Sequence, residues 1–205
     1  AAWLHPFEEE TTDDDAFYLA DGDQVTVPMM RQTESFAYTE GEDYQAVELP
    51  YDGRELSMVI LLPKEDAFDD FEAALDAERV QEIVDSLRGE RVALTLPKFE
   101  FDASFSLADG LAGMGMPAAF GGGADFSGMT GNRELFISQV IHKAFVAVDE
   151  AGTEAAAATA VIMMRSAPGP ASPVEVTVDH PFLFLIRDVA TGTVLFVGRV
   201  MDPSV

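Results

Sequence analysis

The sequence predicts an α+β fold rich in antiparallel sheet, from three observations. Runs with a two-residue apolar period, bounded by turn residues, occupy much of the chain. Helical three- and four-residue spacing is confined to two stretches. The chain ends in two apolar runs separated by a short turn sequence, the pattern of a hairpin.

In order, Ala1–Asp23 reads as a polar connector with an acidic core, Glu8–Asp15. Strands are expected at Gln24–Met30, Ser35–Thr39, Tyr44–Leu49 and Leu56–Leu62, with turns at Gly41-Glu42-Asp43 and Asp52-Gly53. The last of these is apolar enough to be buried on both faces. Phe68, Phe71, Leu75, Val80, Ile83, Val84 and Leu87 then recur at helical steps and stop at Gly89. Strand character returns at Val92–Phe101, and a helix follows from about Ser106 to Met114. The longest strand is expected over Glu134–Asp149, with apolar residues on both faces and hence cover on both sides. Phe182–Asp188 and Val194–Val200 form the terminal hairpin around Ala190–Thr193.

With 205 residues and 48% hydrophobic content, the chain can build one core. Its net charge of −25 argues against nucleic-acid binding, which needs clustered Lys and Arg, and against an anionic membrane surface. Only three lysines, Lys64, Lys98 and Lys143, stand beside nine arginines. The acids are spread along the chain rather than gathered in a tail, which favours adaptation to high salt over an acidic docking surface. No cysteine is present, so disulfides and thiolate metal sites are excluded. An extracellular location is expected over a cytoplasmic one. No apolar run approaches the ~18 residues of a spanning helix.

Enzyme motifs are missing. Gly121-Gly122-Gly123 lacks the Lys-Ser/Thr that completes a phosphate loop, and Phe126-Ser127-Gly128 is no nucleophile elbow. His5 and His180 have no ligand cluster at metal spacing. Neither enzyme activity, metal nor cofactor is expected.

The unusual segment runs from about residue 149 to 173. Glu150-Ala151-Gly152-Thr153-Glu154 leads into Ala155-Ala156-Ala157-Ala158, then Val161–Met164, Arg165-Ser166 and a Pro-rich descent from Ala167. A loop of about 25 residues in a compact domain is uncommon and usually functional or disordered. Alanine propensity allows a helix. As a strand, its small residues would slip between two neighbours and its later β-branched ones would fill a pocket, making it tolerable as a loop and good as a central strand. Gly152 before it and the Pro-rich descent after it weigh against a simple helix. An exposed bond near Arg165-Ser166 is a natural cleavage site.

Glu150–Ala160 resembles the hinge of the serpin family, and His180–Ile186 resembles the strand after its reactive loop. Other blocks match in order: Trp3…Pro6-Phe7, Val27-Pro28-Met29-Met30, Leu49-Pro50-Tyr51, Leu94–Phe99, Met114-Gly115-Met116…Phe120, Ala124–Gly128, His142-Lys143-Ala144 and Leu195–Val200…Pro203. The resemblance implies a multi-sheet serpin-like fold with an exposed reactive-centre loop. Residues 1–205 would be the C-terminal part of one domain whose N-terminal half is missing. It implies suicide inhibition of serine, alternatively cysteine, endopeptidases, trypsin-like or subtilisin-like. A non-inhibitory or truncated relative with a binding or structural role is the other reading. The reactive bond falls at Arg165–Ser166 by chemistry or at Ser166–Ala167 by the usual register, and both stay open. The hinge is Glu150, Gly152, Thr153, Glu154 and Ala155–Ala158. Trp3 matches a packing residue at the upper opening of the large sheet, and Lys98 with Glu150 the hinge-side ion pair. His142, expected to be buried and hydrogen-bonded, matches a histidine that holds the sheet closed. A salt-adapted prokaryotic source is expected from the dispersed acidic excess.

Overall fold

The computed structural model describes residues 1–153 and 172–205. They divide into two units, Ala1–Glu100 with Ala147–Val205, and Phe101–Val146.

The first unit is built on an eight-stranded sheet. Its strands are β1 (Asp13–Tyr18), β2 (Gln24–Glu40), β3 (Tyr44–Pro50), β4 (Leu56–Pro63), β5 (Arg88–Pro97), β8 (Val174–Thr177), β9 (Phe182–Asp188) and β10 (Val194–Val200). The order is β10-β9-β4-β3-β2-β5-β8, with β1 paired to β2. Every pair is antiparallel except β5 with β8, where Val92–Thr95 run alongside Val174–Thr177.

Two expected strands, Gln24–Met30 and Ser35–Thr39, are one. The polar stretch Arg31-Gln32-Thr33-Glu34 that separates them in the sequence pairs with Val92–Thr95 of β5. Ladder hydrogen bonds are made by the backbone, so polar side chains do not interrupt a strand with a neighbour. β1 lies in the expected connector. Its acidic start is answered by Arg31, 2.7 Å from Asp15 and 3.6 Å from Asp13, while Phe17 is fully buried. β4 is buried along almost its whole length, as its apolar run requires.

Helical residues after β4 form two helices, α1 (Phe68–Ala73) and α2 (Ala77–Ser86). The break falls at Asp76, whose carboxylate caps α2 by accepting from the backbone N–H of Arg79 at 2.9 Å. Phe68, Phe71 and Ile83 pack on Ala46, Val59, Leu61, Leu183 and Leu185. This is one face of β3, β4 and β9, since alternate residues of paired strands share a face. The β9–β10 hairpin has the expected bounds. Asp188 accepts from both the backbone N–H and the hydroxyl of Thr191, and Gly192 takes φ +72°, a conformation that favours glycine.

In the second unit, α3 (Ala108–Gly113) occupies the expected helix, and α4 (Ser127–Thr130) is a single short turn. β6 (Phe99–Ser106) and β7 (Ile141–Val148) form a two-stranded sheet. The strand expected over Glu134–Asp149 is therefore shorter. Leu107 N–H donates to the Val140 carbonyl at 2.9 Å, and before Ile141 the chain leaves the ladder. Cover on both sides is also corrected. Phe136, before β7, and Ile141 and Phe145 on it are exposed: pairing with β6 satisfies backbone groups but gives these side chains no cover.

Candidate functional site

The segment expected to act as a hinge begins where β7 ends. Asp149 accepts from the N–H groups of Ala151 and Gly152 at 2.9 and 3.0 Å, and its own N–H donates to the Gly152 carbonyl. A short aspartate side chain serving the backbone two and three residues on is what makes this residue a turn former. The turn brings Thr153 back beside Val148 in an antiparallel bridge.

The first residues of the chain lie along this turn. Trp3 N–H donates to the Ala151 carbonyl, Thr153 N–H to the Ala1 carbonyl and Phe7 N–H to the Glu150 carbonyl, at 2.8–2.9 Å. The approach at Gly152 leaves no room for a side chain. A Cβ there would stand 2.1 Å from the Ala1 carbonyl oxygen and 2.8 Å from Ala2 Cα. Glycine is required by this contact.

Trp3 is buried, stacked on Tyr51 with ring centroids 4.7 Å apart, and its indole N–H donates to the Asp149 carbonyl at 2.9 Å. The Tyr51 hydroxyl lies 2.7 Å from the Thr153 hydroxyl. Burial pushes the Tyr51 hydroxyl up to about 12, with the Thr153 contact partly opposing. The aromatic pair therefore reaches both ends of the Asp149–Thr153 turn.

The ion pair expected between Lys98 and Glu150 is formed, with Nζ 2.8 Å from Oε2. The other carboxylate oxygen accepts from the Thr12 hydroxyl at 2.8 Å. Burial alone would raise the Glu150 pKa. Hydrogen bonds from Lys98, its own backbone and Thr12, with the Lys98 charge, outweigh burial and hold the pKa below its ordinary 4.5. Lys98 is itself held in place, its N–H donating to the Pro28 carbonyl just beyond β5.

Trp3, Lys98, Glu150, Gly152 and Thr153 thus converge on one clamp. Glu154, Ala155, Ala156, Ala157, Ala158, Arg165, Ser166 and Ala167 lie outside the described residues. His142 belongs to the second unit, and the expectation that it is buried is corrected. It is exposed, its ring tilted against Phe105 at 5.1 Å, because it sits where β7 has no further cover among the described residues. Sequence reasoning assigned no part to Tyr51, Thr12 or Asp149. Tyr51 stands in the Leu49-Pro50-Tyr51 block, a detectable signal; Thr12, in an acidic connector, carries none.

The described residues on either side of 154–171 meet β5 or its end: Glu150 pairs with Lys98, immediately after that strand, and β8 runs alongside it. Among the described residues, no group of three or more His, Asp or Glu could hold a metal, and no helix is long and apolar enough to cross a membrane.

A sheet-based α+β fold with a clamped approach to an alanine-rich segment defines a class, and the chain belongs to it: the serpin (serine protease inhibitor) family model matches residues 1–203. An uncharacterized serpin-like protein of Thermococcus kodakarensis is 47% identical over 100% of this chain and 48% of its own length. Serpin B3 of Homo sapiens is 44% identical over 98% of the chain and 53% of its own. The leukocyte elastase inhibitor of Homo sapiens is 42% identical over 98% and 55%. Among solved structures, human thyroxine-binding globulin complexed with thyroxine shares the fold, with TM-score 0.88 and 30% identity over 100% of this chain and 54% of that one. The chain spans about half the length of the curated relatives it matches.

Proposed function

We propose that residues 1–205 are the C-terminal part of a single serpin domain, and that the polypeptide containing them is a suicide inhibitor of serine endopeptidases, trypsin-like or subtilisin-like, and not itself an enzyme. The observation that carries this reading is the clamp at Glu150, held by Lys98 and Thr12 at 2.8 Å each, directly before the alanine-rich segment. A segment that must stay out of a sheet until cleaved, and enter afterwards, needs a fixed pivot at its root. In the proposed reaction the protease serine oxygen attacks the carbonyl carbon of Arg165, or of Ser166 in the alternative register. The amine of the next residue leaves with a proton, and an ester joins the two proteins. Thr153–Arg165 would then enter the large sheet as a strand of roughly 43 Å at ~3.3 Å per residue, with the missing N-terminal half supplying most of that sheet. Glu154 and Ala155–Ala158 would belong to the hinge, and Trp3 and His142 would support the sheet. The relative named leukocyte elastase inhibitor supports the reading. A salt-adapted prokaryotic source and an extracellular location belong to the same proposal, on the strength of the dispersed acidic excess.

The test is incubation of the intact polypeptide with trypsin and with subtilisin. The expected result is a complex stable on a denaturing gel and a released C-terminal peptide beginning at Ser166 or Ala167. A peptide starting elsewhere sinks both bonds. Cleavage without a complex would favour a non-inhibitory binding protein. Residues 1–205 alone should not inhibit.

A further inference from the structure

The connection between β8 and β9 carries an imidazole held at both ring nitrogens. His180 Nδ1 lies 2.8 Å from Asp179 Oδ1, and Nε2 lies 2.7 Å from the carbonyl oxygen of Pro63, the last residue of β4. A carbonyl oxygen only accepts, so Nε2 must carry a hydrogen. An ionised carboxylate also only accepts, so Nδ1 carries one too, and a ring with both hydrogens is the imidazolium. The neutral ring has a single N–H and satisfies one of the two oxygens, leaving the other against a nitrogen lone pair.

The same connection is tied to two further strands. The Asp179 backbone carbonyl accepts from the Tyr18 N–H at the end of β1 at 2.7 Å, and Val178 N–H donates to the Thr95 carbonyl of β5 at 2.9 Å. The charged surroundings favour a cation. Lys64, Glu65 and Asp66 line the His180 pocket from the segment after β4, Asp69 lines it from α1, and Glu40 of β2 lines the neighbouring cavity that His180 also borders. Among these, one ammonium stands against four carboxylates, before Asp179 is added. The tyrosine hydroxyls of Tyr18 and Tyr44 complete the titratable groups there.

We propose that His180 is an acid-strengthened clasp, fastening the β8–β9 connection to the end of β4 as the imidazolium and loosening that connection, and the edge strand β8 with it, when it loses its proton. Burial by itself would lower the ring's proton affinity. The hydrogen bonds to Asp179 and Pro63, with the charges of Asp179 and Glu65, outweigh burial and hold the pKa above its ordinary 6.5. A pKa raised by folding gives stabilisation that is complete below the unfolded value and is lost as pH rises through the folded one. The clasp therefore opens on the alkaline side of 6.5. Resting on the inhibitor reading, one consequence goes further: β8 follows residues 154–171, so the clasp would set how firmly the distal root of the reactive loop is held.

Hydrogen exchange of the segment 174–182 in the intact polypeptide tests the clasp itself, compared at about pH 5.5 and about pH 8.5, on either side of the imidazole titration. After correction for the chemical exchange rate, the expected result is several-fold greater protection at the acid value. That difference should vanish in His180→Gln and shrink in Asp179→Asn. Equal protection at both values in the unsubstituted protein overturns the proposal, as does an undiminished difference in His180→Gln. Ring nitrogen shifts of His180 in the unsubstituted protein provide a readout independent of either variant. A doubly protonated ring persisting above pH 6.5 supports the clasp, and a neutral ring at that pH overturns it. None of these measurements involves a protease, so failure to inhibit would leave them intact.

Discussion

Removing the Lys98–Glu150 pair is the sharpest perturbation of the clamp. The Glu150 carboxylate, 12% exposed, takes two hydrogen bonds of 2.8 Å, one from Lys98 and one from the Thr12 hydroxyl. A hydrogen bond to a charged group contributes about 1.5–3 kcal/mol when well shielded. Lys98 is 38% exposed, so its ammonium regains water once the partner is gone, and the pair must be discounted toward the range of surface ion pairs. The expected coupling between Lys98→Met and Glu150→Gln is therefore about 1 kcal/mol. Glu150→Ala, which also strands Thr12, should cost about 2 kcal/mol. Urea unfolding of the four species of the cycle, in the intact polypeptide at fixed salt, measures the coupling. The Glu150 pKa is depressed by folding, so its contribution is present above the ordinary 4.5 and lost as pH falls through the lower folded value. A coupling within about 0.3 kcal/mol of zero at neutral pH would refute the reasoning. So would one that persists after the carboxylate is protonated.

Trp3→Phe keeps a ring to stack on Tyr51 but loses the bond to the Asp149 carbonyl and part of the buried indole, so it should cost about 1–2 kcal/mol; Trp3→Ala should cost about 3–5 kcal/mol. Equal costs in the two variants would show that the indole N–H, and not the ring, dominates. Gly152→Ala drives a methyl into the Ala1 carbonyl and should destabilise the turn by about 1–3 kcal/mol, seen as faster exchange at residues 150–153; unchanged exchange would contradict the close approach. With a net charge of −25, the protein should unfold at higher urea concentration as potassium chloride is raised toward molar levels. A midpoint that does not move would remove the salt-adapted reading.

The legible parts share a property: their signal is carried by consecutive residues. The unbroken apolar run of β4 and the Ala190–Thr193 turn specify their own geometry. The misread parts depend on distant partners. β1 is acidic yet pairs because Arg31 and the first half of β2 meet it; β2 continues through a polar stretch because β5 lies alongside; β8 is four residues long and owes its strand to β5. His142 shows the same dependence from the other side: alternation placed it on an apolar face, but burial belongs to what covers that face.

By itself the sequence determined the family, the position of the alanine-rich segment and the identity of the Lys98–Glu150 pair, since these reside in ordered motifs. The tertiary structure decided how the clamp is assembled. Tyr51 and Thr12 reach Thr153 and Glu150 across 102 and 138 positions of chain, and the Trp3 indole meets Asp149 across 146. Contacts at such separations leave no local periodicity, because only the folded sheet brings those backbones together.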